Sequence, residues 1–148
     1  MGDFKIKPLR GVNDVEFGLP AATVRQLFGG KFEQFQKGKD SFPSDHSNDQ
    51  GILCYYDADG LLEAMEFHEP ARVFLGEINL LSLHYSQALP LLTKLDPNVE
   101  KDGDGASFRT LSIGLYAPGA DDEDDEYEPI EAVLIGRAGY YDFYDLLK

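Results

Sequence analysis

Three histidines, one cysteine and two Asp/Gly-rich loops are the residues of this 148-residue chain that invite catalytic or metal chemistry. His68-Glu69-Pro70-Ala71-Arg72 opens like the zinc motif H-E-x-x-H, but Arg72 takes the second histidine position and Pro70 breaks the helix the motif needs. His46 sits among Ser44, Asp45, Ser47 and Asp49, a composition that a loop explains, and no G-x-S-x-G elbow accompanies it. His84 precedes a predicted helix and reads as a partly buried or capping side chain. Glu100, Asp102, Asp104 and Gly105 fill the first, third, fifth and sixth positions of a calcium loop, yet Leu111 stands where the bidentate glutamate belongs. Asp57-Ala58-Asp59-Gly60 is too short for an ion and reads as a turn, and Cys54 in a strand-like run reads as a small core residue. Gly29-Gly30 follows a predicted helix, whereas a phosphate loop precedes one. The residues therefore predict a protein that is not an enzyme, with no catalytic residue, metal or cofactor. A small enzyme assembled only by the fold, with His46, His84 and aspartates as its groups, is the third reading.

Charge supplies the sharper signal. Thirteen basic against 27 acidic residues give a net charge of −14. Residues 1–39 are net basic and residues 40–148 strongly acidic. Binding to a nucleic-acid backbone rests on Lys and Arg, so direct nucleic-acid binding is not expected. A basic protein partner and simple solubility are the two explanations that remain. Seven of the eight residues Asp121, Asp122, Glu123, Asp124, Asp125, Glu126, Tyr127 and Glu128 are acidic. Carboxylates so close repel one another and resist burial, which predicts a mobile surface tip that orders on a partner. Tyr140, Tyr141, Phe143 and Tyr144 cluster around Asp142. Strand alternation there would turn Tyr140, Asp142 and Tyr144 outward, the composition of an interface anchor, and Tyr141 and Phe143 inward. The candidate partner-binding residues are thus 121–128 with Tyr140, Asp142 and Tyr144.

The elements that must position these groups follow from periodicity. Leu19, Val24, Leu27 and Phe28 share a helical face after Pro20, and Gly29-Gly30 ends that helix. Lys31–Asn48 reads as a polar connection with Phe32, Phe35 and Phe42 as anchors. Gly51–Glu69 reads as a hairpin around Asp57–Gly60. A second helix follows, with Ser86 as N-cap, Leu89, Leu92 and Leu95 as its apolar face and Pro90 tolerable only in the first turn. Then come a loop at 96–107, a strand at 108–119, the acidic tip and a strand near 130–136. Glu63–Phe67 aligns with Glu131–Ile135, and Tyr55-Tyr56-Asp57 with Leu115-Tyr116-Ala117. The offsets, 68 and 60, place an eight-residue insertion at the acidic tip. The expectation is an α+β fold, a single domain over 1–148 with a mainly antiparallel sheet and short helices on one face. An internal repeat of αββ-like units, 11–69 and 78–144, competes there with chance and a common αββ rhythm. One cysteine, no apolar leader and no apolar run near ~20 residues point to a cytoplasmic chain off the membrane.

Gly11-Val12-x-Asp14-Val15-Glu16-Phe17-Gly18-Leu19-Pro20 through Val24, Leu27, Phe28 and Gly29 resembles the opening segment of bacterial toxin-immunity proteins of the contact-dependent inhibition or polymorphic toxin type. Tyr55-Tyr56-Asp57-x-Asp59-Gly60-x-Leu62 through Glu66 and Phe67 looks like that group as well. Pro20 stands where the group has a Ser or Thr cap, and the likeness is weaker in the second half. A helix-then-hairpin unit present twice is also similar to β-lactamase inhibitor protein and to outer-membrane-assembly lipoproteins. The immunity resemblance implies an inhibitor that binds a basic toxin domain, of nuclease type, and occludes its active site or substrate groove. A general protein-interaction or regulatory module with no toxin partner is the alternative.

Overall fold

Two runs of short strands each lead into a helix, and each helix leads into a four-stranded meander. β1 (Asp3–Lys7), β2 (Gly11–Val12) and β3 (Val15–Glu16) precede α1 (Ala21–Phe28). The first meander is β4 (Glu33–Phe35), β5 (Ser44–Ser47), β6 (Ile52–Tyr56) and β7 (Leu62–His68). β8 (Arg72–Leu75), β9 (Ile78–Asn79) and a 3-10 turn (Leu80–Ser82) precede α2 (Tyr85–Leu95). The second meander is β10 (Val99–Asp102), β11 (Gly105–Phe108), β12 (Ile113–Tyr116) and β13 (Ala132–Gly136). The computed structural model describes residues 3–36, 42–119 and 128–141. The architecture is α+β and mainly sheet, and no helix among the described residues is long and apolar enough to cross a membrane.

The two meanders join through β7 and β13, giving one antiparallel eight-stranded sheet in the order β10-β11-β12-β13-β7-β6-β5-β4. A five-stranded sheet, β3-β2-β1-β8-β9, has β1 and β8 parallel at its middle. Phe4 of β1 lies 5.2 Å from Phe67 of β7, ring to ring, so the small sheet packs on the middle of the large one. Ile52, Cys54, Met65, Phe67, Ile113, Val133 and Ile135 alternate toward this side and are almost fully buried. Burying a large apolar side chain contributes about 1.5–3 kcal/mol, so this inner layer dominates the stability.

Helix α1 begins after Pro20 in extended backbone and ends at Gly29, whose positive φ of 70° turns its N–H to the Arg25 carbonyl at 2.8 Å. Ala21 and Val24 are buried, but Leu27 is 49% exposed, so the inward stripe is narrower than its spacing predicts. In α2 the N-cap is His84, two residues before the expected Ser86, and Gln87 Oε1 accepts the His84 N–H at 3.0 Å, as in a capping box. The earlier start puts Pro90 in the second turn, beyond its expected limit, and leaves Leu95 61% exposed.

Two expected loops are hairpins. Within Lys31–Asn48, β4 and β5 pair Glu33 with His46 and Phe35 with Ser44. Within 96–107, β10 and β11 pair around Asp102–Gly105. The strand expected over 108–119 is broken: β11 ends at Phe108 and β12 starts at Ile113. The hairpin β6–β7 and the pairing of β12 with β13 agree with the reading from sequence.

Pairing and burial correspond between the halves. Leu53 faces Glu66 as Gly114 faces Leu134, which makes Leu53 the counterpart of Gly114 and moves the first offset from 60 to 61. The cause is that β12 pairs with β13 one residue out of step with the sequence alignment. Pro20 bridges to Leu61 as His84 bridges to Pro129. The Ala21 N–H reaches the Gly60 carbonyl as the Tyr85 N–H reaches that of Glu128. Gly51 and Ser112, both with positive φ, occupy matching turns. Glu66 and Leu134 are paired with each other, so an approximate two-fold axis passes between them.

Candidate functional site

The outer face of the eight-stranded sheet has two unlike halves. The first half carries His46, Leu53, Tyr55 and His68, all half-buried. His46 on β5 and His68 on β7 flank β6, and their rings meet with Nε2 atoms 3.0 Å apart. His68 Nδ1–H donates to the Glu69 carbonyl at 2.7 Å, which in a neutral ring leaves His68 Nε2 to accept from His46. Phe35 packs edge-on against Tyr55, whose hydroxyl donates to Glu66 Oε1 at 3.3 Å. Burial, and then the neighbouring Glu66, push the Tyr55 phenol above its ordinary range, which keeps it a donor.

The matching positions of the second half hold smaller groups. Gly114 stands for Leu53 and Ser107 for His46, while Ala132, paired with His68, adds only a methyl group. The result is a groove of about 670 Å³ floored by Ser107, Gly114, Ala132 and Leu134. Glu66, Glu100, Asp102 and Asp104 border it with Tyr116, Tyr141, Lys101 and Arg109. Arg109 lies 3.7 Å from Glu100 and donates to the Tyr141 carbonyl at 3.4 Å, joining the edge strand to the segment after β13. Asp102 Oδ1 accepts the Asp104 N–H at 2.7 Å, which fixes the hairpin tip above the groove. Such a surface can hold a cation by charge, or a planar group against the 49%-exposed Tyr116.

Of the residues singled out from sequence, Asp121, Asp122, Glu123, Asp124, Asp125, Glu126 and Tyr127 lie outside the described residues, as do Asp142 and Tyr144. Glu128 is half-buried, and its carbonyl receives the first N–H of α2. Tyr140 and Tyr141 lie in a turn, so strand alternation does not orient them. Tyr140 packs over Gly136 and edge-on against Tyr141, which is buried with its hydroxyl over Gly114. The structure thus brings Tyr141 rather than Tyr140 to the groove. Gly119 and Glu128, the ends of the acidic segment, lie close together at the β12–β13 end of the sheet. Glu66, Asp102, Arg109 and Tyr116 were not singled out as partner-binding, because they come from four separate strands or turns. Only the Asp-Gly-Asp-Gly run marked one of these places, as a loop with part of a calcium-binding pattern.

On the inner face, Asp45 is fully buried and accepts from Arg25 Nε at 2.8 Å and from the Tyr56 hydroxyl at 2.7 Å. That hydrogen bond holds the Arg25 guanidinium above its ordinary value against the opposing effect of burial. Burial, and then Asp45, push the Cys54 thiol up, which makes it an unreactive core group. Among the described residues no three His, Cys, Asp or Glu side chains form a cluster able to hold a metal ion. Comparison with protein-family profiles, with curated proteins and with solved structures finds no match.

Proposed function

We propose that the chain is an acidic, non-catalytic inhibitor that binds a basic toxin domain of nuclease type and covers its active site or substrate groove. The observation that carries this reading is a groove in the second half of the sheet, bordered by Glu66, Glu100, Asp102 and Asp104 against Lys101 and Arg109, with Gly119 and Glu128, the ends of the acidic segment, close together at the same end of the sheet. The excess of carboxylates over Lys101 and Arg109 there, in a chain of net charge −14, speeds encounter with a basic partner and disfavours acidic ones. The exposed ring of Tyr116 among the carboxylates supplies apolar area that makes such a contact last. The resemblance of Gly11–Gly29 and Tyr55–Phe67 to immunity proteins points the same way.

Immobilised protein exposed to an extract of its own source at low salt, then eluted with rising salt, tests the reading. A basic protein should elute late, be toxic when expressed alone, and be neutralised by co-expression of this chain. A retained partner that is acidic, or harmless when expressed, contradicts the toxin reading and favours a general interaction module.

A further inference from the structure

We infer that His46 and His68 together form a binding site for a divalent transition-metal ion that favours imidazole, of the zinc and copper class. Such a site goes beyond the inhibitor reading and does not depend on it. The two residues lie 22 positions apart in sequence, and the fold sets their Nε2 atoms 3.0 Å apart on the outer face of the sheet. Two metal–nitrogen bonds of about 2.0–2.1 Å, at square-planar or tetrahedral angles, hold their nitrogens about 2.8–3.4 Å apart. The pair already has that spacing. The ring centroids are 5.2 Å apart, so the rings face end to end, and tipping them off the line between them admits an ion. Both rings are half-buried, which leaves each an open side on which to tip.

His68 has the outer contact typical of a ligand histidine. Its Nδ1–H is held by the Glu69 carbonyl at 2.7 Å, which leaves the Nε2 lone pair of the neutral ring for a metal. His46 needs one tautomeric change. Its proton moves through water from Nε2 to Nδ1, with no change of charge, and its Nε2 lone pair then faces the ion as well. Glu33 lies directly opposite His46 on β4, on the same face and exposed, where its carboxylate can accept the Nδ1–H so formed. Among the described residues no third His, Cys, Asp or Glu completes the ligand set, so water fills the remaining positions. Magnesium and calcium take oxygen ligands, and the same two imidazoles select against them. The sheet itself does not call for imidazole, because Ser107 and Gly136 stand at the matching positions of the other half.

NMR of the imidazole nitrogens in the full chain, titrated with zinc chloride at neutral pH, tests the site. Zinc should shift Nε2 of His46 and His68 together, saturate at one ion per chain, and switch His46 to the Nδ1–H tautomer. It should also raise the unfolding midpoint, and magnesium chloride should do none of this. His46→Ala should fold, since its counterpart Ser107 is also small, and should bind zinc at least tenfold more weakly. Glu33→Gln should weaken zinc binding about tenfold through the loss of its outer contact. If His46→Ala does not fold, the wild-type ring signals decide alone. Rings of His46 and His68 that zinc leaves unmoved would overturn the site and reduce the pair to a hydrogen bond. Zinc shifts at His84 or along 121–128 without those two rings would overturn it as well, and equal shifts with magnesium would overturn the choice of ion.

Discussion

Asp45 joins helix α1 to the sheet by accepting from Arg25 and Tyr56, and its Oδ1 has no hydrogen-bond partner among the described residues. The same seam in the other half is apolar, with Leu89 and Ala106 at the positions matching Arg25 and Asp45. A buried pair costs desolvation to form and much more to break on one side. Because the Arg25 side chain is 32% exposed and part of its solvation is regained, Asp45→Ala alone should lose about 1.5–3 kcal/mol by urea unfolding, the value of hydrogen bonds to a charged group. Adding Arg25→Leu, which copies the other half, should return roughly 1 kcal/mol or more of that loss. A double variant no more stable than the single one would show that Arg25 is solvated and not part of the seam. Burial also holds Tyr55, Tyr56 and Cys54 above their ordinary values. Their stabilisation is complete below the unfolded values, near 9.0 for the thiol and 10.0 for the phenols, and fades as pH climbs toward the folded ones. The urea midpoint should fall between about pH 8 and about pH 10.5, and Tyr55→Phe with Tyr56→Phe should flatten that fall. An unchanged wild-type midpoint would contradict the burial of these groups.

The hairpin β10–β11 is the element on which the groove depends, since it carries Glu100, Asp102 and Ser107. Gly105 makes it possible. Its φ is +152°, and a Cβ there would lie only 1.8 Å from the Leu115 carbonyl oxygen. Gly76 has φ +63° with nothing within 4 Å of an added Cβ. Gly76→Ala should cost only the left-handed penalty, about 1–2 kcal/mol, whereas Gly105→Ala should cost more and loosen the β11–β12 pairing. Hydrogen exchange at Ala106 and Ser107 would report the loosening, and equal costs for the two variants would refute the close approach. This hairpin also shows why part of the fold was hidden in the sequence. Ile52–Tyr56 and Leu62–His68 alternate around an Asp-Gly turn and announce themselves. Ser44–Ser47 and Val99–Asp102 are polar strands whose pairing partners, not their own propensity, make them strands. Leu27 and Leu95 have helical spacing, yet neither small helix is broad enough in contact to bury them. The groove was hidden for a further reason: its floor is defined by side chains that are missing at Gly114 and small at Ser107 and Ala132. No linear motif records a row of positions spread over three strands.

At the scale of the whole molecule, the same helix-and-meander frame carries two differently built halves of one outer sheet face. One outer half carries His46, Leu53 and Tyr55, and among the described residues the other holds an acid-bordered groove, in a chain of net charge −14. A field of that sign acts over roughly a Debye length, ~8 Å at physiological salt, so its main effect is on encounter. Replacing Asp121, Asp122, Asp124 and Asp125 by Asn and Ser should leave the unfolding midpoint unchanged or raise it slightly, by relieving repulsion. The same variant should associate more slowly with the partner. The measurement that bears most directly on the claim of a charge-steered inhibitor is the association rate of the captured partner across ionic strength, for wild type and this variant. Wild type should bind fast at low salt with a steep decline as salt rises, and the variant should bind more slowly on a flatter line. Equal rates and equal salt slopes for the two proteins would contradict the account and reduce the acidic segment to a solubilising loop.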